Sequence, residues 1–386
     1  MAHGEVVDST QFELDPTTRL GYRPALDGIR AIAVIPVMVG HAVSRLAPGG
    51  YSGVRLFFVL SGFLITTLLV EEWSDRCSIR LGAFYVRRAL RLLPALLLLL
   101  ATYLIILGAL DGASAVHRIT GNVVSIVFYV ANWRFVVRGN GGDLGHLWSL
   151  SVEEQFYLIW PFALVLMLRH LRLRTTLLIT AVVAAGSWCL AEGLSLASRG
   201  GATIANIEAA RNATQRHAYY GTDAVAYALL LGCIAALLRS SGRLANDRRY
   251  RRIIGWAGPL GVLLYAWQVE YPQQRLREVS LLVVTLGFVA LVLYVIDVPK
   301  SLVAQLLSIA PLRLIGRVSY GLYLWHFVIL SLLHHHQPHM DVVNRTLLAA
   351  LLTAIAVTLS YKLVEQPFLR LKTRFVADRL AAGHPE

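Results

Sequence analysis

The sequence predicts an all-α, polytopic membrane protein with about ten transmembrane helices and a re-entrant or interfacial segment near 122–150. Three observations predict it: an excess of apolar residues, eleven apolar segments of near-spanning length, and basic clusters between those segments. Of 386 residues, 56% are hydrophobic and 15% charged. Soluble domains carry about 25% charged residues. A water-soluble core of this size does not need such an excess. A bilayer does, because each spanning helix takes roughly 20 mostly apolar residues.

The apolar segments run near 26–44, 54–70, 92–110, 122–137, 155–168, 175–191, 222–238, 253–268, 279–296, 318–333 and 346–364. Arginine-rich loops stay on the cytoplasmic side of a membrane. Arg76–Arg91 holds five arginines, Arg169–Arg174 three and Arg239–Arg252 six. With the N-terminus inside, the first two segments place Arg76–Arg91 inside. If the next three all crossed, Arg169–Arg174 would fall outside. Demoting one segment restores parity. The weakest is 122–137, which holds Asn122, Asn132, Trp133 and Arg134 and runs into the glycines of 139–145. Irregular backbone at membrane depth is tolerated where protein or a cavity covers it. Ten crossings remain, with both termini cytoplasmic, in a multi-pass protein of the cell membrane.

The polar residues 1–22, with Glu5, Asp8, Glu13 and Asp15, read as a flexible cytoplasmic tail rather than a cleavable signal. The membrane domain covers 23–368 and a basic cytoplasmic tail covers 369–386. The net charge of +13 would suggest nucleic acid in a soluble protein. Here the arginines sit at segment ends and no nucleic-acid motif is present, so no nucleic-acid partner is expected. Cys77, Cys189 and Cys233 have no metal or redox spacing. His334, His335, His336 and His339 sit in an expected outer loop without a scaffold for a metal, and no metal is expected. No inverted repeat of the transporter kind is visible. Abundant Ala, Arg and Leu with few Lys is the composition of a GC-rich bacterium.

The polar residues inside apolar segments carry the chemistry. Arg30 and His41 lie eleven apart in the first segment. At about 100° per residue they share one helix face, about 16 Å apart along the axis. Ionisable groups at membrane depth are costly and face the bundle interior or a cavity. Arg30 then holds an anion near the cytoplasmic end while His41 works deeper. The competing reading is a snorkelling arginine and a hydrogen-bonded core histidine. Arg88 and Arg91 are i,i+3 neighbours at the start of the third segment. They either anchor the helix or clamp phosphates, for which arginine forks suit the geometry.

His146, Trp148, Glu153 and Glu154 crowd the stretch that opens the segment at 155. Ser151 is placed to cap that helix, with Glu154 completing a capping box. One carboxylate could instead orient a histidine or act as acid or base. Ser61 and Gly62 sit mid-helix, where close packing competes with a binding role for Ser61. Asp223 follows Gly221 and Thr222, where capping competes with catalysis. Tyr323 and His326 share a face and either line a cavity or anchor at the interface.

Together these stretches resemble the acyltransferase-3 family of integral membrane O-acyltransferases. Its Arg-x10-His motif is matched by Arg30 and His41 after Leu26-Asp27-Gly28. Its Phe-Phe-x-x-Ser-Gly-Phe stretch is matched by Phe57 to Phe63, and its Arg-x-x-Arg pair by Arg88 and Arg91. Trp148 to Tyr157, Ser319 to His326, and Glu365-Gln366-Pro367 match three further stretches in order.

The resemblance implies O-acyl transfer from acyl-CoA, a co-substrate rather than a bound cofactor, to a hydroxyl. His41 is then the general base. Glu153 or Glu154 orients it or the acceptor. Arg30, Arg88 and Arg91 hold the phosphates of CoA, while His146, Trp148, Ser61, Asp223, Tyr323 and His326 contact substrate. Some members carry a hydrolase-like domain after the last helix, which this chain, ending at Glu386, is expected to lack. Its size is similar to that of actinomycete macrolide O-acyltransferases, so the acceptor is a macrolide or other lipophilic natural product, or a sugar of an envelope glycan or glycolipid. A transporter or lipid flippase using the Arg30/His41 face as a path is the alternative. The sequence leaves the oligomeric state open, and a homo-oligomer is compatible with it.

Overall fold

A computed structural model describes residues 19–139, 141–198, 205–242, 247–270 and 277–371. The expected tails fall almost wholly outside these residues. The described residues are helical, with no strand among them. The α-helices, numbered along the chain, are α1 (Pro24–Ala42), α2 (Gly53–Arg76), α3 (Leu81–Val127), α4 (Ala131–Arg138), α5 (Trp148–His170), α6 (Leu173–Ala197), α7 (Ala205–Tyr220), α8 (Thr222–Val225), α9 (Tyr227–Ser240), α10 (Arg248–Glu270), α11 (Arg277–Asp297), α12 (Leu302–Leu307), α13 (Ala310–Arg317), α14 (Ser319–His336) and α15 (Val342–Ser360). Among the described residues seven helices are long and apolar enough to cross a membrane, or eight if α13 and α14 count as one broken span. This is a multi-pass membrane protein.

Two of the ten expected crossings fall short of that test. The segment at 222–238 breaks after the single turn of α8, leaving the 14-residue α9. At 1.5 Å per residue that is about 21 Å, less than the roughly 30 Å hydrocarbon layer. The segment at 253–268 forms α10, a continuous helix whose arginine-dense first turn and whose Gly255, Gly258, Pro259 and Gly261 keep it from being apolar enough. The expected re-entrant stretch does not form one helix. Residues 122–127 end α3, α4 takes 131–138, and a 3-10 segment at Gly142–Leu147 leads into α5. Gly112 breaks α3 at φ 79° and ψ 176°, a backbone region open in practice only to glycine.

The helices form two compact units. The first comprises described residues of 19–79, 129–139 and 148–317. Its centre is the crossing of α2 and α9. A Cβ on Gly62 would overlap the Leu229 carbonyl, and one on Gly232 the Val59 carbonyl. The two backbones touch, as small residues allow between membrane helices. Phe58, Phe63 and Tyr227 fill the surrounding core. Arg239 Nε donates to Asp297 Oδ1 at 2.9 Å and the Tyr250 hydroxyl to Asp297 Oδ2 at 2.7 Å. Part of the Arg239–Arg252 cluster therefore ties α9 and α10 to α11.

Pro36 interrupts α1 and, lacking an N–H, leaves the Ile32 carbonyl without its helical donor. The buried Tyr265 hydroxyl of α10 supplies one at 3.1 Å. Tyr265→Phe is expected to lower stability by about 1–3 kcal/mol, read as a lower unfolding midpoint in detergent. Pro36→Ala should recover most of that loss. Additive losses in the double variant would refute this account.

The second unit comprises described residues of 80–128, 141–147 and 318–371. α14 packs on α15 and on α3, and a π-turn at Tyr361–Glu365 closes α15 against α3. The Gly-rich stretch is held by Asp143, which accepts from Tyr103 at 2.9 Å and from Ser331 at 2.5 Å.

Candidate active site

In the first unit the first motif builds a charged cluster. Asp27, 6% exposed, sits in the first turn of α1. Its Oδ1 accepts from Arg30 Nη1 at 3.0 Å, the i,i+3 spacing that lets helix neighbours meet. Its Oδ2 accepts from the Tyr22 hydroxyl at 3.0 Å and lies 3.6 Å from Arg317 Nε. Two arginines flank one carboxylate, so the cluster keeps a positive balance suited to an anion. A Cβ on Gly28 would overlap the Leu307 carbonyl, and one on Gly316 the Asp27 carbonyl. The Leu-Asp-Gly stretch therefore seats α1 on α12 and α13 and aims Arg30. His41 lies in the last turn of α1, beyond Pro36, and is exposed.

Two motifs meet between α2 and α5, where the Ser61 hydroxyl donates to Glu153 Oε1 at 2.8 Å. Glu153 and Glu154 are half-buried. Trp148 opens α5, buried edge-on to Phe58 and against Tyr219 and Tyr220. Because the 3-10 segment runs directly into α5 at Trp148, Ser151 falls inside the helix and cannot be its N-cap. The expected capping box is absent. The Ser151 hydroxyl is buried with no hydrogen-bond partner among the described residues.

Gln155 organises the neighbouring turns. Its amide donates to the Tyr129 carbonyl at 2.7 Å and to Asn132 Oδ1 at 2.8 Å. Its oxygen accepts from the Thr222 hydroxyl at 2.6 Å and from Trp133 Nε1 at 3.3 Å. Asn132 donates to the Tyr220 carbonyl at 3.1 Å. α4, α5 and the α7–α8 turn are thus pinned by one network. Asp223 does more than cap. Its Oδ1 accepts from the Ala224 N–H, and both oxygens face His217 Nε2, at 2.9 and 3.0 Å. Burial first, then the neighbouring Tyr219, pushes the Tyr220 hydroxyl up to about 12, so it stays a neutral donor at pH 7.

In the second unit Arg88 is half-buried and Arg91 exposed on α3, just before Pro94. The Tyr320 hydroxyl donates to the Leu92 carbonyl at 2.8 Å. This puts the start of α14 beside the arginine pair. Buried Glu365 accepts from Ser360 at 3.1 Å and lies within electrostatic reach of Arg91. The Tyr323 hydroxyl donates to the His146 carbonyl at 2.6 Å. His146 Nε2 lies 3.1 Å from the Leu324 carbonyl and His326 Nδ1 2.9 Å from the Leu322 carbonyl. Carbonyls only accept, so the two neutral rings carry their protons on opposite nitrogens. The rings of His146, Tyr323 and His326 stand 5.4 to 5.8 Å apart. His335 pairs with Asp143 and His336 with Asp111, and no metal-binding group of three occurs among the described residues.

Within units, then, the structure joins Ser61 to Glu153, and His146 to Tyr323 and His326. Sequence reasoning missed Asp27 as the partner of Arg30, Gln155 as an organiser, His217, and Arg55. Arg55 is 5% exposed over the Tyr227 ring. Asp27 and Gln155 stood inside quoted motifs. His217 carried no local signal, because its partner lies across a helix break.

A family model described as an acyltransferase domain matches residues 23–365. The peptidoglycan O-acetyltransferase OatA of Listeria monocytogenes is 34% identical over 371 residues, 91% of this chain and 57% of that protein. The putative peptidoglycan O-acetyltransferase YrhL of Bacillus subtilis is 32% identical over 90% of this chain and 55% of its own length. A putative O-acetyltransferase of Staphylococcus aureus is 32% identical over 91% and 58%. The chain spans about half the length of the curated relatives it matches. No solved structure matches it.

Proposed function

The chain belongs to the acyltransferase-3 family, and on that premise we propose that it is a membrane O-acetyltransferase acting on a hydroxyl of an envelope glycan, with acetyl-CoA as donor. One observation carries the reading. The family match runs over 23–365 and includes every candidate side chain, and relatives within it bear the names of peptidoglycan O-acetyltransferases.

In this reading the acceptor oxygen attacks the thioester carbonyl while His41 takes its proton. The C–S bond breaks, and the imidazolium returns the proton to the departing thiol. A histidine suits this step because its ordinary pKa lies near neutrality. Glu153, held by Ser61, orients the acceptor or His41, with Glu154 beside it in sequence. Arg88 and Arg91 hold the phosphates of CoA on the cytoplasmic side, and Arg30, in the first unit, is a separate candidate for an anionic group of substrate. Trp148 is the substrate contact of the first unit, and His146, Tyr323 and His326 are those of the second.

The test is a purified protein in detergent, supplied with acetyl-CoA and with soluble glycan strands or a macrolide. Acetyl-CoA-dependent acetylation of the glycan supports the reading, whereas acetylation of the macrolide alone refutes the glycan assignment. A charge-assisted hydrogen bond is worth about 1.5–3 kcal/mol, so Arg88→Ala and Arg91→Ala should each raise KM for acetyl-CoA by roughly 10- to 100-fold. An unchanged KM in both would refute the phosphate clamp.

A further inference from the structure

The pair His217 and Asp223 lies on the first unit, at the turn between α7 and α8. Gly221 sits between them with φ −65° and ψ 124°, a conformation any residue adopts. Its glycine is required for another reason. A Cβ there would overlap His217 Cδ2 and stand 2.6 Å from Asp223 Oδ1. The missing side chain is what lets the imidazole close on the carboxylate. Asp223 only accepts, so it holds the proton on Nε2 and leaves Nδ1 of the neutral ring as an acceptor. No hydrogen bond to that Nδ1 occurs among the described residues. The His217 and Asp223 side chains are 29% and 43% exposed.

The Trp133 ring stands edge-on to the imidazole, its centroid 5.7 Å from that of His217. It is 36% exposed, and its N–H is pinned by Gln155. Asn132 and Gln155 also hold the α7–α8 turn through Tyr220 and Thr222. One network therefore fixes both the imidazole and the indole. A fixed acceptor next to a fixed, partly open aromatic ring suits a molecule with hydroxyl donors on its rim and an apolar face of C–H groups. A pyranose ring has both. Aromatic side chains supply rigid contact area of this kind at small entropic cost.

We propose that His217, oriented by Asp223, and Trp133 form a sugar-binding subsite that receives a glycan acceptor: a hydroxyl donates to His217 Nδ1 and the sugar face lies on Trp133. This rests on the glycan reading of the acceptor given above. Asp223 is a positioning residue, acting through His217.

The experiment is calorimetric titration of the detergent-purified full chain with a β-1,4-linked N-acetylglucosamine pentamer, beside kinetics with acetyl-CoA. His217→Ala, Trp133→Ala and Gly221→Ala should each weaken pentamer binding tenfold or more. Trp133→Phe, which keeps a stacking ring, should stay within about threefold of wild type. Asp223→Asn should raise KM for the glycan without moving KM for acetyl-CoA, a split that a merely structural role would not produce. If monodisperse Trp133→Ala and His217→Ala bind the pentamer as wild type does, or wild type does not bind it, the subsite is wrong. Pentamer binding that these variants lose, in a protein that transfers nothing from acetyl-CoA, would support the subsite and refute the proposed donor.

Discussion

His41→Ala is expected to lower acetyl transfer by roughly 10²- to 10⁴-fold, the range that a positioned general base contributes. Arg30 and His41 are joined by one helix whose ladder is opened at Pro36 and closed again by Tyr265. The imidazole sits in the last turn of α1, at the end of the helix, so truncating it should disturb the fold far less than the reaction. The unfolding midpoint should stay close to that of wild type while turnover collapses. Binding of acetyl-CoA should also survive, because the phosphates are assigned to arginines. His41→Gln keeps the polarity and loses the basicity, and should be as inactive as alanine. The check is steady-state acetylation with thermal unfolding on the same preparation. Near-normal turnover in His41→Ala would remove it from the mechanism and move attention to His146 and His326.

The second large effect falls on stability. Gly62→Val and Gly232→Val are each expected to cost about 3 kcal/mol or more, the upper end of overpacking. The reason is what the new atoms meet. At both positions a Cβ runs into a backbone carbonyl of the facing helix, and a carbonyl cannot rotate away as a side chain can. α2 and α9 would have to separate. Ser61 neighbours Gly62, so the same separation should disturb its bond to Glu153 and lower activity in whatever protein still folds. Yield and unfolding midpoint in detergent are the readouts. A midpoint within about 1 °C of wild type, roughly the shift that 1 kcal/mol gives in a chain of this size at about 2.1 cal/mol/K per residue, would mean that the two backbones are not in contact.

The helical class and the membrane setting were legible because apolar excess and segment length act over whole elements. The close packing of Gly62 was legible too, as a small residue in mid-helix. The number of full-length spans was harder. Segment 222–238 looks like one helix by hydropathy, but it is cut at Ala226, between α8 and α9, where no polar residue marks a break. The capping box at Ser151 fitted its local pattern, but the helix starts earlier because a 3-10 segment feeds it. The candidate residues of the first motif were visible, while the carboxylate that orients Arg30 was quoted only as part of a stretch. His217 was not legible at all. Its meaning depends on a six-residue separation across a break, which no helical period describes.

The order of segments in the two units has a consequence for how the protein is made. Chains emerge from the ribosome N-terminus first, at about 5–20 residues per second. α3 leaves at Leu81–Val127, yet its helical partner α14 begins at Ser319, about 190 residues later. At these speeds α3 waits roughly 10–40 s for the surface it will pack on. During that interval the first unit is still being synthesised, and its own last helix, α13, is completed just before α14 begins. The half-made protein therefore leaves the flank of α3 that α14 will cover to lipid or to the insertion machinery until α14 itself is out. A ribosome stalled anywhere between α4 and α13 would leave that helix an orphan in the bilayer and a natural substrate for membrane quality control.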